Sequence, residues 1–299
     1  MQVFYSPLFN LRLPEGHRFP GGKYRLLKDR LLDDKILRPD ELLISPEASR
    51  DDLLRAHDAS YVDAIASGAI DPKIMRRIGF PWTPELARRS RISVGGSLAA
   101  ADAAFEDGIA GQLAGGTHHS HRSFGAGYCV FNDHAVTALK AIELRRARRV
   151  AIIDLDVHQG DGNAAILGHR DDIFVFSLHG ERNFPFRKEA SHLDIGLPDG
   201  AEDETYLSVL EDALREVFAF DPDLVLYQAG VDPLTEDRLG RLSLTYSGLM
   251  ARDRMVLEAC RLRSIPCSMA IGGGYADPIE ASVTAYANTY RVTKDVYGV

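Results

Sequence analysis

Runs of apolar, β-branched residues alternate along this chain with stretches of helical periodicity. Residues 148–158 (RRVAIIDLDVH), 172–180 (DIFVFSLHG), 223–232 (DLVLYQAGVD) and 265–275 (IPCSMAIGGGY) each read as a buried strand that closes on polar residues or glycines. Between them, residues 133–148, 204–218 and 245–261 carry apolar positions at helical spacing. Strands alternating with helices predict an α/β domain: a central, mostly parallel β-sheet with helices on both faces. No Pro/Gly/Ser-rich linker, repeat or low-complexity stretch divides residues 1–299, so one domain is expected. A closed α/β barrel has the same alternation and stays open as an alternative.

Open α/β sheets bind ligands beyond the carboxyl ends of their strands. In this chain those ends hold the reactive side chains. Asp154, Asp156 and His158 follow one apolar run, Asp232 closes another and Tyr275 follows a third. Alternation along a strand puts Asp154, Asp156 and His158 on one face and returns Leu155 and Val157 to apolar packing. Carboxylate oxygens and an imidazole nitrogen suit a divalent transition metal. Asp156 and His158 supply two ligands and Asp232 a third, which leaves the open position a catalytic zinc requires. Iron or manganese also fits an oxygen-rich set, but zinc leads because only three ligands are evident. A two-metal ureohydrolase needs a further Asp-x-Asp, and Asp232 is followed instead by Pro233, Leu234 and Thr235.

A glycine-flanked segment, GGTHHSHRSFGAGYCVFND (115–133), carries His118, His119 and His121. In such a loop both members of the His118–His119 pair can reach a cleft. Imidazole has the pKa a general base needs near neutrality. Asp154 and Asp161 stand ready as carboxylates behind the two rings, where they would fix tautomer and basicity. His121 is read as structural or loop-exposed. Tyr275 follows three glycines that let the backbone approach a ligand closely, and its phenol is suited to a developing oxyanion. The same glycines lack the spacing of a phosphate-binding loop, which sets nucleotide binding aside.

Composition narrows the function classes. There are 35 Lys and Arg against 43 Asp and Glu, a net charge of −8, so there is no basic footprint for nucleic acid. The acidic balance gives only a weak general preference for cationic substrates. The three cysteines, Cys129, Cys260 and Cys267, form no Cys-x-x-Cys pair and no even disulfide set. That points to a reducing, cytoplasmic setting. The N-terminal residues lack the pattern of a secretory leader, and no apolar run is long enough to span a membrane. No membrane or nucleic-acid partner is expected, and a monomer is favoured.

Taken together, the motifs resemble the histone deacetylase superfamily, on the arginase/deacetylase fold. They are THH (117–119), FGAGYCVFND (124–133), DLDVHQGDG (154–162), FSLHG (176–180), AGVDP (229–233), DRLGRLSLT (237–245) and IGGGY (271–275), with YSP (5–7) and RAHDASYVDAI (55–65) as N-terminal signatures. HRFPGGKY (17–24), the Gly-Thr before the histidine pair and DRLGRLSLT are most similar to class IV deacetylases and their bacterial relatives. The resemblance implies roles. Asp156, His158 and Asp232 match the zinc ligands. His119 matches the general base, His118 its electrostatic partner that helps protonate the leaving amine, and Asp154 and Asp161 the carboxylates behind them. Tyr275 matches the transition-state tyrosine. Gly127 matches the glycine whose carbonyl accepts the substrate amide N–H, and Tyr128, Phe184 and Leu239 match channel walls. A structural potassium site is implied at Asp154, Asp156, His158, Ser177 and Leu178. The implied activity is removal of acetyl or longer fatty acyl groups from the ε-amine of lysine in proteins or peptides. The alternatives are a small acylated amine such as an acetylpolyamine and, from another class, an inactive acyl-lysine binder. Where some members carry a substrate-gripping aspartate at the channel rim, this chain has Phe80, Pro81 and Trp82. Trp82 is expected either over the rim or in the core.

Overall fold

A computed structural model describes residues 1–14 and 16–299. In chain order the strands are β1 (Gln2–Tyr5), β2 (Leu42–Ile44), β3 (Ile109–Gln112), β4 (Val150–Asp154), β5 (Ile173–Gly180), β6 (Leu193–Leu197), β7 (Leu224–Gln228) and β8 (Cys267–Ala270). They form one sheet in the order β2-β1-β3-β8-β7-β4-β5-β6, and every pairing is parallel. The helices are α1 (Lys23–Asp33), α2 (Arg50–Leu54), α3 (Ala59–Ser67), α4 (Pro72–Ile78), α5 (Pro84–Asp107), α6 (Asp133–Glu143), α7 (Asp161–Leu167), α8 (Asp203–Ala219), α9 (Tyr246–Leu262) and α10 (Glu280–Tyr297).

The sheet has two free edges, β2 and β6, so the barrel alternative is discarded. Every residue of β3, β4, β7 and β8 is buried, as a parallel sheet covered on both faces requires. The expected strands and the helices at 133, 204 and 245 are all present, within a few residues of their expected limits. The first of those helices is shorter than read, because it stops at Glu143.

The strand order creates the site. From β4 the chain moves outward to β5 and β6. It then returns to β7, which pairs with the other edge of β4, and continues in the opposite direction to β8. Loops leaving the adjacent strands β4 and β7 therefore diverge and open a crevice at their carboxyl ends.

Candidate active site

Residues 154–158 need one correction. The strand ends at Asp154, so Asp156 and His158 do not share a face by strand alternation. The chain turns instead on its own carboxylates. The Asp156 N–H donates to Asp154 Oδ1 at 3.2 Å, and the His158 N–H donates to Asp156 Oδ1 at 3.0 Å. Such aspartate-anchored turns project successive polar side chains into one crevice. Leu155 and Val157 are fully buried, as their apolar character demands.

Asp232, just beyond β7, closes the crevice from the other side. Its Oδ1 accepts the Val157 N–H at 2.8 Å, and its Oδ2 lies 3.0 Å from His158 Nδ1, which is also 3.0 Å from Asp156 Oδ1. One ligand atom from each of Asp156, His158 and Asp232 falls within 4.8 Å of the others, and all three residues are buried. At Asp232 burial and the neighbouring Asp156 charge push the carboxyl up. Burial acts the same way on Asp156, but the imidazoles of His118 and His158 outweigh it and hold that carboxyl well below the usual range. Burial disfavours a charged His158, yet the two carboxylates lift it to about 10. The trio thus demands positive charge at its centre. That demand and the donor types fit a divalent metal. Backbone room is also built in: a Cβ at Gly273 would stand 2.0 Å from Asp232 Oδ2, and the Gly273 N–H donates to Asp156 Oδ2 at 2.7 Å.

Two histidine–aspartate pairs flank the trio. His118 Nδ1 lies 2.7 Å from Asp154 Oδ2, and His119 Nδ1 lies 2.6 Å from Asp161 Oδ1, with the two rings 4.1 Å apart. Burial opposes a charge on His118, but Asp154 and Asp156 overcome it and raise the ring to about 9. For His119, burial and the neighbouring His118 dominate over Asp161 and lower it to about 4. The two adjacent imidazoles are thus shifted in opposite directions, His118 toward its charged form by the carboxylates and His119 toward its neutral form by burial. His121, read as structural or loop-exposed, is mostly buried and its Nε2 lies 3.1 Å from the second oxygen of Asp161.

Tyr275 is half-buried, 6.3 Å ring to ring from His158 and 6.0 Å from Tyr128. Burial and the charges of Asp156 and Asp232 raise its phenol well above the ordinary value, so it remains a proton donor. An outer cavity of about 560 Å³ leads down to this floor, and Gly127, Tyr128, Phe184 and Leu239 all line it with His119, His158 and Tyr275. Gly127 (φ +52°) packs so closely that a Cβ there would meet His119 Cδ2 at 2.5 Å. Phe184 meets the His119 ring edge-to-face at 4.8 Å. A smaller inner cavity of about 40 Å³ shares the floor and is lined on its far side by Lys23 and Arg89. Of the residues matched to potassium, Asp154 and Ser177 sit side by side in the β4–β5 register, with Leu178 next along β5.

Several supporting residues escaped the sequence reading. Asp133 accepts the N–H groups of Gly116 and Thr117 and so positions the histidine loop. Buried Arg252, on α9, donates to the carbonyls of Leu155 and Gly230 and ties the ends of β4 and β7 together. Lys23 donates to the carbonyls of Gly272 and Gly274 and to Tyr286, which holds the glycine run before Tyr275. Asn183 bridges two wall segments, donating to Leu239 O at 2.7 Å and accepting the Arg241 N–H. Each stands among other polar residues or glycines in the sequence, so nothing local distinguishes it; only the fold, by burying it and requiring a partner for it, shows its part.

The sequence profile of the histone deacetylase domain matches residues 17–290. The chain belongs to the histone deacetylase family. It is therefore an amide hydrolase of that family, and Asp156, His158 and Asp232 form a group that could hold a metal ion. An uncharacterized protein from a Picosynechococcus strain is 42% identical over 296 residues, covering 99% of both chains. Histone deacetylase 2 of Arabidopsis thaliana is 30% identical over 288 residues, covering 92% of this chain and 74% of that one. Among solved structures, an HDAC homolog complexed with SAHA superposes with a TM-score of 0.83 at 25% identity, covering 99% of this chain and 84% of the other. An acetylpolyamine aminohydrolase from Burkholderia pseudomallei has the same fold, with a TM-score of 0.80 at 20% identity and 99% coverage of each chain.

Trp82 does not line the outer cavity. Its indole N–H donates to Ile65 O at 2.9 Å, and its ring packs against Gly68, so it is a half-buried part of the core. Phe80 is buried against Phe19 and Tyr128. The rim in this region is formed by Arg77, Ile78 and Gly79. No helix among the described residues is long and apolar enough to cross a membrane. The three cysteines are free and buried.

Proposed function

We propose that the protein is a zinc-dependent lysine deacylase, which hydrolyses the amide between the ε-amine of lysine and an acetyl or longer fatty acyl group. One observation carries the reading. A metal-type trio, two His–Asp pairs and a phenol converge at the bottom of one cavity whose walls are Gly127, Tyr128, Phe184 and Leu239. That cavity suits a long, thin acyl-amine, with aromatic rings beside its methylenes and the metal-type trio and His–Asp pairs at its inner end.

When bound by Asp156, His158 and Asp232, zinc supplies Lewis acidity, polarising the amide carbonyl and lowering the pKa of the nucleophilic water. Asp161 holds the Nδ1 proton of His119, which leaves Nε2 free to accept a proton from the attacking water. His118, held by Asp154, whose carboxylate favours the charged ring, sits beside it and supplies positive charge near the leaving nitrogen. The Tyr275 phenol donates to the oxyanion as the carbonyl becomes tetrahedral. The Gly127 carbonyl orients the amide N–H. A potassium ion bound to Asp154, Asp156, His158, Ser177 and Leu178 would stiffen the turn that carries two of the zinc ligands.

The test is a panel of lysine substrates acylated from acetyl to myristoyl, run beside N-acetylputrescine, with and without a chelator. Acyl-lysine cleavage that stops with the chelator and returns with zinc supports the reading. No amide cleavage from metal-loaded protein overturns it. A clear preference for N-acetylputrescine replaces lysine with a polyamine as the substrate.

A further inference from the structure

The mouth of the outer cavity has a charge opposite to that of the chain as a whole. Five arginines line it, Arg18, Arg77, Arg182, Arg238 and Arg241, and among the described residues no aspartate or glutamate does. All five are exposed. Asp277 pairs with Arg238, and Asp199 pairs with Arg241 and, at 3.9 Å, with Arg182. Both aspartates lie outside the cavity lining, so five arginines line the opening against two carboxylates nearby, and among the described residues Arg18 and Arg77 are in no ion pair. Arg77 stacks 4.0 Å over the Phe124 ring, which keeps its charge in place beside the opening. Its main chain is fixed too: the Arg77 carbonyl accepts the Gly127 N–H, and the Ile78 carbonyl accepts the Tyr128 N–H. The cationic rim is thereby coupled to the wall the acyl-amine must pass.

A single exposed arginine contributes little to binding. Five of one sign around a concave opening focus a positive potential into it, repel cations and raise the local concentration of anions. Guanidinium groups also match carboxylates in a two-pronged geometry that lysine cannot offer. Phe186, 87% exposed at the same opening, gives the body of a ligand an apolar contact.

We propose that the preferred substrate is an acylated amine carried on an anionic body: an acyl-lysine flanked by aspartate or glutamate side chains or by a nearby free carboxylate. Basic peptides and polyamine tails are disfavoured by the same charges. This inference rests on the deacylase reading and adds the substrate class to it.

The experiment compares three substrates with the same acyl-lysine on the zinc-loaded full chain: a peptide with aspartates on both sides, the same peptide with lysines, and Nα-acetyl acyl-lysine with its carboxylate free. At low salt the aspartate peptide is expected to exceed the lysine peptide in kcat/KM by at least about tenfold, mostly through KM. The gap should narrow toward unity near 1 M salt, where screening shortens to about 3 Å. Replacing the exposed Arg18 and Arg182 together (Arg18→Glu, Arg182→Glu) should reduce or invert the ratio. If the short carboxylate rivals the aspartate peptide, the anionic body is a small molecule and the inference stands. Equal kcat/KM for the two peptides, or a ratio insensitive to both salt and charge reversal, overturns it and leaves the deacylase reading intact. Absence of all cleavage removes both.

Discussion

The floor of the cavity and its mouth are built on opposite principles. On the floor, charged and titratable groups are buried and partnered. Asp156 and Asp232 accept main-chain N–H groups from their neighbours, the imidazoles of His118 and His119 each rest on a carboxylate, and Arg252 ties two strand ends together. At the mouth, exposed arginines and Phe186 stand in solvent, Arg77 at the end of α4 and the others on loops tied in part by Asn183 and Asp237. A preorganised floor spends no energy reorienting dipoles during the reaction. Solvent-exposed side chains at the mouth have the rotamer freedom to adjust to the body of the substrate. Damage to the floor should therefore appear in kcat, and damage to the mouth in KM and in substrate preference.

The largest effects test the floor. Tyr275→Phe and His119→Ala should each lower kcat at least about a hundredfold with metal content unchanged, the usual scale for losing one oxyanion donor or one general base. Rates near wild type in either variant, with zinc measured as bound, would remove that residue from the chemistry. Asp161→Asn should cost about ten- to a hundredfold, the range for a group that orients a reacting histidine. Because His121 also leans on Asp161, His121→Ala should have a smaller effect in the same direction. An equal loss in both would mean that His119, Asp161 and His121 act as one unit.

The legibility of the sequence follows the same division. The floor was readable because it sits at the ends of long apolar strands, where polar residues are conspicuous. Asp154, Asp156, His158, Asp232 and Tyr275 could all be picked out, although the turn through 154–158 was misread as strand. Local carboxylate-to-backbone hydrogen bonds, which have no periodicity, decide that turn. The N-terminal part of the sheet was not legible. Strand β3 reads IAGQ, in which only Ile109 has strong β-propensity, and is a strand because β1 and β8 pair with it on both sides. Helix α5 was missed although Thr83 caps its start and Gly108 its end. Its interior Gly95–Gly96 looks like a helix breaker, yet a Cβ at Gly95 would stand 2.2 Å from Pro46 O, so close packing overrides propensity. The arginine mouth was invisible for another reason: its five members come from four separate stretches of chain that only the fold brings together.

A pH measurement sharpens the contrast between the layers. His57 lies beneath the histidine loop, where its Nε2 accepts the Asn132 N–H and its Nδ1 faces His121 O. Burial lowers it to about 4. Between that value and the ordinary 6.5 the unfolded chain binds the proton and the folded chain does not, so stability rises with pH across this window and falls as pH drops through it. The melting temperature of the metal-free protein should decline from pH 6.5 toward 4, and His57→Gln should flatten part of that decline. A profile unchanged by the substitution would place the acid sensitivity elsewhere, on His119 or His179, which burial also lowers to about 4. Arginines stay charged throughout the same range, so charge selection at the mouth should not change with the stability.

The smallest expected effect marks where the mouth ends. Trp82 follows the rim segment by a few residues, but its indole N–H is bonded to Ile65 O and its ring fills the space beside Gly68. Trp82→Phe keeps most of the apolar surface and leaves one main-chain carbonyl without its donor, a loss of about 1 kcal/mol in stability. A melting temperature lowered by a few degrees, with kcat and KM for every acyl-lysine peptide unchanged, is the outcome a core residue produces. If KM rose severalfold while the melting temperature held, Trp82 would have to contact substrate, and the boundary of the mouth would move outward from Arg77 and Gly79 to include it. That outcome would also add an apolar contact to a rim whose selectivity is otherwise set by charge.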